Sequence, residues 1–422
     1  MKYGLLINEM NKNIGDDIQA YAEAQFLPRI DVNVNREHLN TFKYGDGTEP
    51  VALIMGAWFM WRKWNWPPSH QIVPLNIGYH HFDRNPELAK SSSSAVAITD
   101  QHYTGVGGDW FRAYGPVGCR DTYTCDVFDK NGIPNYFSGC VTLTLPKQPE
   151  TSDKGSYIVC VDLNRDVEKK VIKLTQGQVE VRKVTHTTPN INGATWEERK
   201  ERVEKLLTLY QNARYVVTRR LHVALPCLAM GVPVMVIQSV AMNDPNRFDP
   251  YRKWLHYCRN TTFLKQGYDG FDFVNGTPNS TEYLPYREQL IKSMTEFVAY
   301  CEENADKDVD FFNKTTYTED ERIRWRESML SGAIARTHKE QKELHTTYRR
   351  LMDKLRKTQE TDIITVKVEN QELWEKVDSL EKQLDDIRSS GLFKVAWKFR
   401  VPIKAAMAAT QDVKGKIQRK LG

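Results

Sequence analysis

Arg219-Arg220-Leu221-His222 places two guanidinium groups and an imidazole at the end of an apolar run. Arginine supplies a planar fork that matches carboxylate or phosphate. Histidine exchanges a proton near neutral pH. Arg220 and His222 together therefore offer an anion clamp and a proton donor. The flanking residues say where such a group would sit. Tyr215 to Thr218 is β-branched and strand-like, Leu225 to Met230 is helical and stopped by Gly231 and Pro233, and Val234 to Ile237 is a second strand. Strand, turn, helix and strand make a βαβ unit of a parallel sheet. Ligands bind outside the carboxyl ends of such strands, where a helix N-terminus presents free N–H groups to an anion. The same residues allow a plainer role, with Arg220 paired to a carboxylate and His222 satisfied in the core.

Two further turns carry residue types of the same kind. The loop Asn11 to Asp16 follows a first apolar segment. In it Gly15 permits close backbone approach, while Asn13 and Asp16 suit either sugar hydroxyls or a helix cap. The turn Gly115 to Asp121 puts Arg120 at a helix entrance with Asp121 as N-cap; a structural ion pair is the alternative for Arg120. Asn243, Asp244 and Arg247 follow the Val234 strand and face the same side of the sheet.

These turns need scaffolding, and the chain supplies it twice. Residues 2 to 8, 51 to 56, 75 to 81 and 140 to 145 read as strands, with a helix from Asp17 to about Phe26 and the tryptophan-rich Trp58 to Trp66 between strands. After a polar linker, Lys147 to Gly155, the pattern restarts with strands 157 to 162 and 179 to 186, a helix from Trp196 to Asn212, and the Arg-Leu-His unit. The expectation is an α/β protein with two Rossmann-like domains, 1–150 and 151–310, facing a cleft, the usual home of a ligand. From 318 to 390 the chain turns helical and charged. Ile363, Val366, Asn370, Leu373, Val377, Leu380, Leu384 and Ile387 form a heptad seam, which predicts a homo-oligomeric coiled coil through 363–387; a helical pair folded within one chain is the alternative. The tail 391–422 mixes aromatics with cations, as an interfacial helix on anionic lipid would; a solvated face or a partner contact is the alternative.

Composition narrows the class. The chain has 422 residues, 40% of them apolar and 27% charged, as in a soluble globular protein. The tail holds a net +7 out of an overall +5, which leaves the body at −2 and argues against nucleic acid as partner. Seven cysteines without C-x-x-C spacing point to free thiols in a reducing compartment and away from zinc. With no signal peptide or membrane span in the pattern, a cytoplasmic location is expected, with peripheral contact on the inner face of the membrane as the tail's candidate role.

Three segments in order resemble the polysaccharide pyruvyl transferase family: Asn13 to Gln19, Gly118 to Asp121 through Tyr136 to Cys140, and Arg220-Leu221-His222 with its Ala-Leu-Pro helix. His186 and the Asp244 to Phe248 run look similar to the family too. The resemblance spans about residues 1 to 300. It implies a fold similar to GT-B glycosyltransferases, no required cofactor, and transfer of pyruvate from phosphoenolpyruvate to a glycan sugar as a ketal, on a polysaccharide or capsule precursor that can be lipid-linked. On this footing Arg120, Arg220 and the backbone near Leu221 bind the donor, His222 is the catalytic acid, and Asn13, Gly15, Asp16, His186, Asn243 and Arg247 are candidate acceptor or cleft residues. Arg219 and Val223 depart from the family's smaller residues. Two alternatives remain. One is a GT-B enzyme with a nucleotide-sugar donor, although no base- or ribose-binding motif is evident. The other is a non-enzymatic oligomeric scaffold around a degenerate enzyme domain.

Overall fold

The computed structural model describes residues 1–9, 12–56, 65–81, 102–187, 193–239, 245–357 and 363–389. Trp58 to Trp64, Asn243, Asp244 and the basic tail 391–422 lie outside them. Met1–Thr318 form one compact unit and Glu319–Gly422 a second.

In the first unit, β1 (Lys2–Ile7), β2 (Val32–Asn35), β3 (Val51–Gly56) and β4 (Ile72–Ile77) form a parallel sheet in the order β2-β1-β3-β4. β3 is buried along its whole length, as its unbroken Val-Ala-Leu-Ile-Met run requires of a strand covered on both faces. A short parallel pair, β5 (Val117–Cys119) and β6 (Asn135–Phe137), is tied to the end of β4 through Tyr79. Tyr79 N donates to Gly118 O at 2.8 Å and its carbonyl accepts from Arg120 N at 2.7 Å. Five strands form the second sheet, again all parallel: β7 (Tyr157–Val161), β8 (Glu180–Val184), β9 (Val216–Thr218), β10 (Val234–Gln238) and β11 (His256–Arg259), in the order β11-β10-β9-β7-β8.

Helices pack on these sheets: α1 (Ile14–Ala24), α2 (Gly105–Ala113), α3 (Thr122–Lys130), α4 (Arg165–Leu174), α5 (Trp196–Asn212), α6 (Leu221–Met230), α7 (Asn260–Gln266), α8 (Leu284–Glu303) and α9 (Val309–Phe312). One apolar core joins Leu5 and Ile54 of the first sheet to Val159, Val216 and Val236 of the second, with Ile18, Leu207 and Leu225 of the helices between. A buried ion pair crosses the same boundary. Arg199 of α5 bonds Asp17 Oδ1 at 2.9 Å, Asn8 O at 3.2 Å and Glu9 O at 3.0 Å, which fixes the loop entering α1.

Several elements depart from the sequence pattern. The Cys140 to Leu145 run is a 3₁₀ turn over Val141–Thr144, wholly buried. It packs against α1, α6 and α8, and Thr144 Oγ1 bonds back to Val141 O at 2.7 Å. Alternation there marks a plug covered on all sides, with local hydroxyl bonds replacing a ladder. The strand expected at 75–81 is β4, three residues earlier. β2, β6 and β11 span three or four residues each, too short to show a period. α6 begins at Leu221 rather than Leu225, because Arg220 is its extended N-cap and Val223 N and Ala224 N already bond to Arg220 O.

In the second unit α10 (Glu319–Lys357) and α11 (Ile363–Ser389) pack along one another within the chain, and Leu380 and Leu384 of the seam are buried. Among the described residues no helix is long and apolar enough to cross a membrane. All seven cysteines are free thiols.

The Arg199–Asp17 pair offers a direct test of how the first unit holds together. Arg199→Met strands a buried carboxylate and is expected to cost about 3–5 kcal/mol in urea unfolding, whereas adding Asp17→Leu restores most of that loss. A single variant as stable as wild type would show that the pair does not pin α5 to α1.

Candidate active site

The Arg-Leu-His segment forms the first turn of α6 at the carboxyl end of β9. His222 sits inside that turn with φ −78° and ψ 20°, off the helical value. The cause lies four residues on. Pro226 has no N–H to give the His222 carbonyl, and its ring would collide with that carbonyl in a regular helix. The Leu221 and His222 N–H groups precede those bonded to Arg220 O, the place where a helix offers donors to an anion. The Leu221 side chain itself is core.

α1 meets His222 from the first sheet. A Cβ on Gly15 would lie 3.0 Å from His222 Nδ1 and 3.1 Å from its Cβ, so the absent side chain lets the helix backbone rest on the imidazole. Asn13 caps α1, its Oδ1 accepting from Gly15 N at 3.3 Å. Asn13 also pairs with Thr187, and Ile14 N donates to His186 O at 3.0 Å. Asp16 is not the cap: its carboxylate takes Asn8 Nδ2 at 3.4 Å and Arg36 at 3.5 Å.

Arg120 arrives from the end of β5, 2% exposed, with its carbonyl accepting from the Tyr251 hydroxyl. Among the described residues, its Nε and Nη2 are buried without a hydrogen-bond partner, and so are both ring nitrogens of His222. Each such group costs about 1–3 kcal/mol unless something satisfies it. Arg120 and Arg247, the latter on the 3₁₀ turn Pro245–Tyr251, both act on His222, Cys140 and Tyr251. Burial depresses the His222 imidazole well below the usual histidine range, and the charges of Arg247 and Arg120 push it further the same way, as His186 and His80 would when protonated. In the protein as it stands, His222 is neutral in a field of positive charge.

Arg220 is placed differently. Its Nε bonds Asp162 Oδ2 at 2.9 Å, its Nη2 lies 3.4 Å from Thr187 Oγ1, and its side chain is about one-third exposed, at 32%. The guanidiniums that most strongly depress His222 are thus those of Arg247 and Arg120, with Arg220 at the rim. His186 is buried, its Nε2 2.8 Å from the Tyr210 hydroxyl, and burial lowers its imidazole to about 4 while Asp162 opposes. Sequence and structure thus bring together His222, Arg120, Arg247, Gly15, Asn13 and His186, with Arg220 and Leu221 alongside. Asp16 turns to Arg36.

The sequence reading overlooked two members, Asp162 and His80, and the pairing of His80 with Asp121. Asp162 follows β7 in a left-handed conformation, φ 50°, which Asp tolerates better than most residues; its carboxylate holds both Arg220 Nε and, at 3.1 Å, His186 N. His80 follows β4 and sets Nδ1 2.6 Å from Asp121 Oδ2, both side chains 2% exposed. Asp121 is the expected N-cap of α3, taking Thr124 N and Oγ1 at 2.8 Å on its other oxygen. Burial works against its charge, but His80 and Arg120 bring the carboxyl down to about 2. Polar residues directly after a buried parallel strand, as in Tyr79-His80-His81 and Val161-Asp162, were the available signal.

Comparison with known proteins settles the lineage. The model of the family described as polysaccharide pyruvyl transferase matches residues 13–239, more than half of the chain. The chain belongs to the polysaccharide pyruvyl transferase family. Its members' glycan-modifying role thus frames the site, and the matched residues contain Arg120, His186, Arg220 and His222. No curated protein matches the sequence. Among solved structures, an uncharacterized protein from Klebsiella pneumoniae subsp. pneumoniae NTUH-K2044 is 11% identical, with 61% of this chain and 92% of that one covered at a TM-score of 0.33. S. aureus MnaA, solved with UDP, is 10% identical, over 75% and 99% of the two chains, at 0.30. The glycotransferase of kitacinnamycin is 9% identical, over 69% and 79%, at 0.24.

The depressed histidines make stability depend on pH. The unfolded imidazole binds its proton near 6.5, while the folded His222 and His186 do so lower. Their stabilising contribution is present above pH 6.5 and is lost as pH falls, by up to about 1.4 kcal/mol per pH unit for each. Unfolding free energy should therefore decline below pH 6.5, and less steeply in His222→Gln. Parallel slopes in the two proteins would mean that folded His222 takes up its proton normally.

Proposed function

We propose that the protein transfers pyruvate from phosphoenolpyruvate to two hydroxyls of a glycan sugar, forming a ketal and releasing phosphate. The observation that carries this reading is the buried Arg120 guanidinium, with Nε and Nη2 unmet among the described residues, beside a His222 whose ring nitrogens are equally unmet. A small polyanion would satisfy Arg120 and balance Arg247, and the first-turn N–H groups of α6 would add donors. Arg220, held by Asp162 at the rim, would take the donor's second anionic group. The two parallel sheets would then act as the two halves of a GT-B-like cleft.

The chemistry follows from charge. Ketal formation requires a proton on the donor's methylene carbon, after which positive charge develops on the central carbon and a hydroxyl attacks. His222 cannot supply that proton while burial and the neighbouring guanidiniums keep it neutral. A bound dianion reverses the field and raises its proton affinity, so the acid forms where the donor sits. The acceptor would occupy the Asn13–Gly15 side. Self-association through 363–387 and membrane contact through 391–422 remain separate proposals, each read from residue pattern.

Phosphate release from phosphoenolpyruvate should appear only with a glycan acceptor present. His222→Ala is expected to lower turnover by about 10²–10⁴-fold. Arg120→Met, which removes one partner of a buried charge pair costing about 2–5 kcal/mol, should weaken phosphoenolpyruvate binding in calorimetry by at least tenfold. Wild-type turnover in His222→Ala would eliminate the assigned acid; tight binding of a nucleoside diphosphate with none of phosphoenolpyruvate would overturn the donor.

A further inference from the structure

We infer that His80, oriented by Asp121, is the general base that takes the proton from the attacking sugar hydroxyl. This rests on the phosphoenolpyruvate reading and adds the group that reading lacks. Ketal formation releases two hydroxyl protons, whereas His222 accounts for one, delivered in exchange to carbon.

The geometry supplies the base. β4 and β5 end side by side, held by the Tyr79–Gly118 and Arg120–Tyr79 backbone bonds. His80 therefore stands next to Arg120 at the carboxyl edge of the sheet. Its Nδ1 lies 2.6 Å from Asp121 Oδ2, and both side chains are 2% exposed. Asp121 cannot swing away, because its other oxygen accepts from Thr124 N and Oγ1 at 2.8 Å, and the next residue is fixed too, His81 N donating to Thr124 Oγ1 at 2.9 Å. A carboxylate held on Nδ1 commits that nitrogen to a proton and leaves Nε2 as the basic atom, the logic by which an aspartate prepares a histidine to accept a proton. The dyad borders the site, since the residue before His80 accepts from Arg120 N at 2.7 Å and Asp121 directly follows Arg120 in the chain.

Its neighbour in the same sequence shows the contrast. His81 Nδ1 is 2.6 Å from the Tyr103 hydroxyl, a neutral partner in an aromatic cluster with Tyr79, Phe111 and Phe128. His80 has the Asp121 carboxylate behind it.

The proton balance then closes. His222 protonates the methylene carbon, the first hydroxyl oxygen bonds to the central carbon, and its proton passes to His80. The carbon–oxygen bond to phosphate breaks, and His80 gives its proton to the departing phosphate. The second hydroxyl closes the ring and its proton returns to His222. One ketal and one hydrogen phosphate result, with both histidines restored.

The test uses the full-length protein with phosphoenolpyruvate and an acceptor glycan. His80→Gln keeps the volume and is expected to lower kcat by about 10²–10⁴-fold while leaving the calorimetric affinity for phosphoenolpyruvate within about threefold of wild type. His80→Ala should fall as far and recover at least tenfold with added imidazole. Turnover at the wild-type rate in His80→Gln, or His80→Ala that binds donor normally yet gains nothing from imidazole, overturns the base. A wild-type protein that does not bind phosphoenolpyruvate would show a different failure, that of the donor assignment, and the base would fall with it.

Discussion

Positive charge gathered around a neutral, buried imidazole is the constraint on which the first unit turns. Burial first, then the charges of Arg247 and Arg120, depress His222. Two other buried arginines of the first unit, and the partly exposed Arg220, have carboxylates within 3.5 Å. Arg199 has Asp17, Arg220 has Asp162, and Arg36 has Asp16 and Glu37. Arg120 receives the charge of Asp121 at a distance, but that carboxylate is committed to His80 and Thr124. The Arg120 hydrogens at Nε and Nη2 stay unmet among the described residues. At about 1–3 kcal/mol for each unmet group, such an arrangement is a sizeable fraction of a domain's net stability. It persists because two rigid parallel sheets over-determine it, which is the usual circumstance of strained functional geometry.

The rigidity has local causes. Pro226 removes the bond that would draw His222 into a regular helix, so the imidazole leaves the first turn at an angle set by covalent chemistry rather than by packing alone. Gly15 lets α1 press against the ring from the other side. Asp162, in its left-handed conformation, holds Arg220 and the His186 backbone together. Each device acts on orientation, which positioned acids and clamps need held to within about 0.5 Å.

Much of this was legible in the residues because strand-to-helix turns concentrate chemistry in parallel sheets. Arg120, Arg220, His222 and Gly15 were visible as cations, an imidazole and a glycine directly after apolar runs, and Trp196–Asn212 was visible as a helix, to which the structure adds a Thr195–Glu198 capping box. What pattern does not show is partnership. Nothing in the order of residues tells that Arg220 is engaged by a carboxylate 58 positions earlier, or that Arg247 rather than Arg220 presses most on His222. The His80–Asp121 pair spans 41 positions and two strands; periodicity, which reports one element at a time, carries no trace of it. The Cys140 to Leu145 plug was misread for a related reason. Alternating apolar and hydroxyl residues suit a half-buried strand, and only the three helices packed around the segment turn it into a wound, fully enclosed one.

The same electrostatics bear on timing. An imidazole that were already charged in this site would add a further cation to an arginine-rich pocket and raise the cost of burying it. Keeping it neutral removes that cost and ties its protonation to the arrival of negative charge, since the dianion that neutralises Arg120 and Arg247 also reverses the field at His222. On the proposed reading, the donor thereby creates the acid that will protonate it. On that reading, a vinyl phosphate protonated before an acceptor hydroxyl is in place would be lost to water, so tying the acid to the bound donor protects it. His80 with Asp121 at the β4–β5 edge and His222 at the start of α6 occupy different strand ends. On the proposed reading, one of these ends donates a proton and the other accepts one.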